Sequence, residues 1–179
     1  CKKIFNGSKS IEVRKSRPSI PTPFTVYVYQ TKHKGGKAIV SEVLNSVYGG
    51  GKVIGEFVCD RITCCQAYYG ESGEKHLTNL FWDEVKRTCL TEHEMFDYIV
   101  GKGKKEGTGW LWHITEPTLF EKPRDITEFA LYGKCAEDCD EYDFCARDSE
   151  GGRMSCKYFK RTFLERPPQS YCFVETDEK

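Results

Sequence analysis

The chain has 179 residues, enough for one ordinary domain with a single buried core and too few for two large ones. Its 27 lysines and arginines balance its 27 aspartates and glutamates, so no overall basic excess can hold nucleic acid by charge alone, and any anion site must be a local patch. No run of about eighteen apolar residues occurs and no basic-then-apolar leader precedes a small-residue cleavage site, which predicts a soluble, cytoplasmic, non-exported chain with no membrane partner.

The chain begins at Cys1 inside CKKIF, which reads as the last turn of a helix closed by Asn6-Gly7. The missing initiator methionine leads us to expect a further piece before it. Ser10-Ile11-Glu12-Val13-Arg14 alternates apolar with charged, the pattern of a half-buried strand. Ile11 and Val13 would face a core, and Glu12 and Arg14 would share the opposite face. Pro18, Pro21 and Pro23 make the next segment an extended connector, because each proline fixes φ and removes a donor. Residues 24–31, FTVYVYQT, form a strand rich in β-branched and aromatic side chains. Residues 32–51 read as an inserted loop with a short ordered centre, and 52–63, KVIGEFVCDRIT, as another strand in which Gly55 marks a bulge or a close backbone approach.

Two short helices are expected at 79–87 and 91–100. The second carries a capping box, Thr91 with Glu94 three residues on, and a glycine stop at Gly101. Residues 101–109, GKGKKEGTG, form a basic turn whose Lys102, Lys104 and Lys105 could meet phosphate or simply be solvated. Residues 110–120, WLWHITEPTLF, return to strand, broken by Pro117. Residues 122–129 make a turn, and 166–174 close the chain as a final strand. Five or so strands with outlying helices predict an α+β fold, a small mixed β-barrel with flanking helices.

Ten cysteines are many for this length. Cys135, Cys139, Cys145 and Cys156 fall in one segment poor in packing residues, whereas Cys59, Cys64, Cys65, Cys89 and Cys172 lie in apolar runs as small core residues do. Four thiolates in such a loop suit a tetrahedral structural zinc whose binding orders the segment. Their spacing differs from paired C-x2-C knuckles, and free or disulfide-linked thiols and an iron–sulfur centre stand as alternatives. A catalytic metal would find no open position among four cysteines.

The order of motifs KIFNGSKSIEVRK, VYVY, KVIGEF, GWLWHIT, KPRDITEF and RPPQSYCFVE resembles the ASCH domain, a branch of the PUA-like superfamily. It is most similar to the longer versions found in bacterial phages and mobile elements. The likeness spans nearly the whole chain, read as one domain over 1–179, apart from the insertion at about 32–51 and with a cysteine-rich zinc loop at about 135–156. Its most specific element is G-x-K-x-x-E-x-R, here Gly7, Lys9, Glu12 and Arg14. The resemblance implies a PUA-like barrel that binds RNA or a nucleotide-like ligand in a cleft beside this motif. It also implies that an opening strand precedes the first helix.

The chemistry of the motif fits that expectation. Lys9, Arg14 and the adjacent Lys15 can hold phosphate, Arg14 as a planar fork, while Glu12 can accept from an exocyclic amine. The structural alternative is a surface ion pair between Glu12 and Arg14, worth about 0–1 kcal/mol. Some members of the family are hydrolases acting on RNA or on N4-acetylcytidine. In the amidohydrolases a lysine activates a threonine three residues further on; Lys9 matches that lysine, but the nucleophile's place holds Glu12, which cannot take the hydroxyl's part in acyl transfer. If the chain is an enzyme, Lys9 and Glu12 are the candidate catalytic pair, with Glu12 acting as a base toward water or a ribose hydroxyl. A third reading is a phage-type adaptor or transcription-related protein without catalysis. His113, on the face of Leu111, is a structural histidine or a ligand contact. Tyr27, Tyr29, Trp110 and Trp112 serve core packing or base stacking.

Overall fold

In the computed structural model the described residues are 2–31, 39–41, 46–48, 50–131 and 163–175. The chain divides into two compact units, Cys1–Pro123 and Arg124–Lys179. The first begins with α1 (Lys2–Phe5), β1 (Ile11–Arg14) and β2 (Phe24–Gln30). A small antiparallel pair follows, β3 (Ile39–Ser41) with β4 (Ser46–Tyr48), and then the long β5 (Lys52–Tyr69), β6 (Lys75–Thr78), α2 (Trp82–Thr88), α3 (Glu92–Val100) and β7 (Glu106–Arg124).

The fold is α+β with a mostly antiparallel sheet, as the sequence predicts. Its strands run in the order β1-β7-β5-β2, with β6 paired to β5 off this path. Among the described residues the sheet is open, not closed into a barrel. One face is covered by α2 and α3. Ile11 and Val13 of β1, Cys65 and Ala67 of β5, and Leu111 of β7 meet Val85, Met95, Phe96, Ile99 and Val100 there. Burial of each large side chain contributes about 1.5–3 kcal/mol, which is why the apolar stripe of a helix as short as α3 suffices to fix it on the sheet.

Local chemistry sets the boundaries. At α3 Thr91 Oγ1 accepts from the Glu94 backbone N–H at 3.2 Å, and the Glu94 carboxylate accepts from the Thr91 N–H at 2.8 Å, so the expected capping box is formed. The other expected helix starts three residues late, at Trp82, because Asn79 turns the backbone with φ of 61° and Phe81 is extended. The polar stretch KHLT before it is a strand. A turn at Gly70–Gly73 closes it against β5, which therefore runs six residues past its expected end.

Pro117 does not end β7: Glu116 absorbs the bend with φ of 51°, at exposed positions where the missing proline N–H leaves no partner wanting. Gly55 has both roles foreseen for it. The β2–β5 register shifts beside its partner Val28, and a Cβ there would collide with the Thr118 carbonyl and come within 2.7 Å of the Phe5 ring.

In the second unit Asp125 caps a 3-10 turn (Ile126–Glu128), and β8 (Ala130–Leu131) pairs with β9 (Val174–Glu175). Of the closing strand expected at 166–174 only Val174 is in β9, since Pro167 and Pro168 cannot donate to a ladder. No helix among the described residues is long and apolar enough to cross a membrane.

Because backbone occupies the space beside Gly55, Gly55→Val should cost about 1–3 kcal/mol through overpacking. Urea unfolding monitored by tryptophan fluorescence would register the loss as a lower midpoint with an unchanged slope.

Candidate functional site

The G-x-K-x-x-E-x-R segment is held from both ends. Gly7 adopts φ of 78°, a conformation open to glycine at no steric cost. The Asn6 side chain accepts from the Ser8 N–H at 3.1 Å, and the Lys9 N–H donates to the Lys3 carbonyl at 2.7 Å. Ser10 links to α2 twice: its N–H donates to the Arg87 carbonyl and its hydroxyl oxygen accepts from the Arg87 Nε–H, each at 3.0 Å. From there β1 pairs antiparallel with β7, setting Ile11 opposite His113, Glu12 opposite Trp112, Val13 opposite Leu111 and Arg14 opposite Trp110. Directly opposed residues share a face. Ile11 and Val13 therefore enter the core, at 0% and 5% exposure, while Glu12 and Arg14 stand on the other face with the two tryptophans.

On that face Lys9 Nζ lies 2.7 Å from Glu12 Oε2 and Arg14 Nε lies 3.1 Å from Glu12 Oε1. The side chains keep 20–32% of their surface, so each pair adds about 0–1 kcal/mol to stability. The Arg14 Nε contact is one of charge alone, since its N–H is buried without an aligned acceptor. Its terminal nitrogens likewise have no acceptor among the described residues, leaving the planar edge of the guanidinium unspent. Phe24 meets Trp112 edge-to-face at 5.5 Å, and the Arg17 guanidinium lies 5.5 Å over the Trp110 ring. Lys15 stands apart from the other three: its ammonium lies 5.2 Å over the Tyr98 ring of α3.

His113 is in a different place from the motif, on the core face and 2% exposed. Arg61 Nη2 lies 3.1 Å from its Nδ1. A guanidinium can only donate, so Nδ1 accepts and the ring proton is on Nε2, which donates to Thr63 Oγ1 at 3.1 Å. Glu84, also buried, stands 3.6 Å from Nε2 and accepts from the Phe81 N–H. Nothing in the sequence announced this cluster. Arg61 and Glu84 sit among other charges, in DRIT of the expected strand and WDEVKR of the expected helix, with no spacing that links them to His113.

Burial first, then the positive charge of Arg61, holds the His113 pKa below its ordinary 6.5, with Glu84 opposing. The described cysteines are free thiols. Burial pushes Cys59 up to about 11 and Cys65 up to about 12, which makes them inert core groups, as expected from their apolar surroundings. Cys135, Cys139, Cys145 and Cys156 lie outside the described residues.

No family model and no curated protein matches the chain. The solved structures include two similar ones. The crystal structure of ASCH from Zymomonas mobilis is 18% identical, with 70% of this chain and 66% of that one covered and a TM-score of 0.43. A single-site mutant of the same protein is 20% identical, with 69% and 66% covered and a TM-score of 0.39. Both neighbours are ASCH proteins. The matched part spans about two thirds of their length.

A histidine whose folded pKa lies below its unfolded value takes up its proton more readily in the unfolded chain. Its contribution to stability is complete above pH 6.5 and declines as the pH falls below that value. Arg61, Thr63, Glu84, Arg87 and Asp60 are the groups that set this balance. The urea midpoint should therefore fall between about pH 7.5 and about pH 5.5, and should fall less in His113→Gln, which has no proton to gain there. Equal slopes in the two proteins would remove His113 from the account.

Proposed function

We propose that the chain binds RNA or a nucleotide-like ligand on the strand face carrying Lys9, Glu12 and Arg14. The observation that carries this reading is the unspent edge of Arg14, held beside Glu12 and opposite Trp110 on a partly exposed face. A guanidinium fork suits phosphate, a carboxylate can accept from an exocyclic amine, and a tryptophan offers a stacking surface. The sequence resemblance to the ASCH domain points the same way. Both oxygens of Glu12 already hold a cation. That arrangement favours holding a ligand over abstracting a proton, so binding without turnover is the preferred reading over a hydrolase or a non-binding adaptor.

Fluorescence anisotropy with labelled single-stranded RNA, alongside calorimetry with mononucleotides, tests it. Arg14→Ala should weaken binding about tenfold or more, the loss of hydrogen bonds to a charged group, and Lys9→Ala should do so to a lesser degree. If both variants bind like wild type, the site is only an internal ion pair. Conversion of RNA or acetylated cytidine that Glu12→Gln abolishes would instead establish the hydrolase.

We further infer, from the sequence alone, that Cys135, Cys139, Cys145 and Cys156 hold one structural zinc. Elemental analysis of purified protein should find one equivalent, lost in Cys139→Ser together with thermal stability of the C-terminal unit. Metal-free protein of undiminished stability would refute it.

A further inference from the structure

The basic turn after α3 is not absorbed by the site just described, and its surroundings are specific. Lys102, Lys104 and Lys105 are exposed, and none of their ammonium groups has a hydrogen-bond or ion-pair partner among the described residues. The Tyr69 N–H donates to the Lys105 carbonyl at 3.1 Å, which fastens the end of β5 to the turn. At the other end of the turn, Gly101 lies so close to Lys15 that a Cβ there would be 3.1 Å from its ammonium, and that ammonium covers the Tyr98 ring.

Tyr69 and Tyr98 are 42% and 41% exposed, large values for aromatic rings. Tyr69 packs edge-on against Phe96, which fixes its plane. The turn thus meets a half-exposed tyrosine at each end, Tyr98 beside Lys15 and Gly101 and Tyr69 at the Lys105 carbonyl, and the 101–109 stretch between them carries three lysines against a single acid, Glu106. The nearest acid of α3, Asp97, is engaged by Lys75 and by His93.

Lys15 directly follows Arg14, so this surface begins where the motif's face ends, about 3.8 Å along the chain. Trp110, opposite Arg14, is four residues from the start of β7 at Glu106. At about 3.3 Å per residue, that is about 13 Å of strand between the motif and the turn. A single nucleotide cannot reach across that distance; a chain of several can.

We propose that the ligand is a single-stranded RNA polymer, whose backbone passes from Arg14 around the end of β1 onto Lys15 and the Lys102–Lys105 turn, with bases stacked on Tyr98 and Tyr69. This deepens, and rests on, the reading of the Lys9–Glu12–Arg14 face as the ligand site. Unpaired lysines track phosphates without regard to sequence, and exposed rings stack on unpaired bases, which a duplex or a lipid surface does not offer.

The test compares labelled RNA of about twelve nucleotides with a mononucleotide, across a salt series, in wild type, in the Lys102→Ala/Lys104→Ala/Lys105→Ala variant and in Tyr98→Ala. Losing three phosphate contacts should lower the slope of log affinity against log salt by about 2 for a single strand. The affinity of the longer RNA should fall about tenfold or more at low salt, and Tyr98→Ala should cost at least about fivefold. Mononucleotide binding should not change in the lysine variant, and the corresponding Lys→Arg triple variant should bind the longer RNA like wild type.

Undiminished binding of the longer RNA by the alanine variant would overturn the proposal. So would tighter binding of duplex RNA or of anionic phospholipid vesicles. Loss of binding in Arg14→Ala with no effect at the turn would leave the motif site standing and remove this surface. Loss at the turn with no effect of Arg14→Ala would do the reverse.

Discussion

The register between β1 and β7 governs nearly everything described above. Four residue pairs, from Ile11 with His113 to Arg14 with Trp110, decide which side chains enter the core and which face outward. Side chains alternate with a period of two, so a slip of one residue would bury Glu12 and Arg14 beneath α2 and α3 and expose Ile11 and Val13. The cost of desolvating two charges without suitable partners makes that slip prohibitive. The apolar pair on β1 and the charged pair beside it are therefore one constraint seen from its two sides.

That constraint also explains how a partly exposed cluster of charges keeps its geometry. Surface ion pairs contribute little to stability and are screened by salt. The Lys9–Glu12–Arg14 group does not have to hold itself in place, because Ile11 and Val13 anchor the backbone beneath it and Ser10 is tied to Arg87 of α2. Arg14 meets Glu12 through its inner nitrogen, and its outer edge has no acceptor among the described residues.

The helical side of the sheet uses polarity differently. His113, Thr63 and Glu84 are brought together on the core side from three separate elements, with Arg61 reaching in from the surface. A neutral imidazole that accepts from a guanidinium and donates to a hydroxyl has both ring nitrogens satisfied, which is what permits its burial. The basic turn lies beyond the same helix, where α3 ends over Gly107 and Gly109 of β7 because any larger residue would strike Ile99.

Local pattern was sufficient for β1, β2, the capped helix α3, the role of Gly55 and the inward and outward faces of the motif. Each rests on alternation, capping or backbone freedom, and these are properties of neighbouring residues. The short polar strand β6, the length of β5, the passage of β7 through Pro117 and the open edge of the sheet were not legible, since pairing partners far along the chain decide them. The charges of the motif could be named from the sequence, but their division could not. Glu12 gathering Lys9 and Arg14 while Lys15 turns to Tyr98 depends on where α3 packs. The same is true of His113, whose contacts with Arg61 and Thr63 join residues about fifty positions apart. Sequence determines which groups can be charged, capped or buried; only the folded sheet, by fixing distances between remote strands, decides which of them meet.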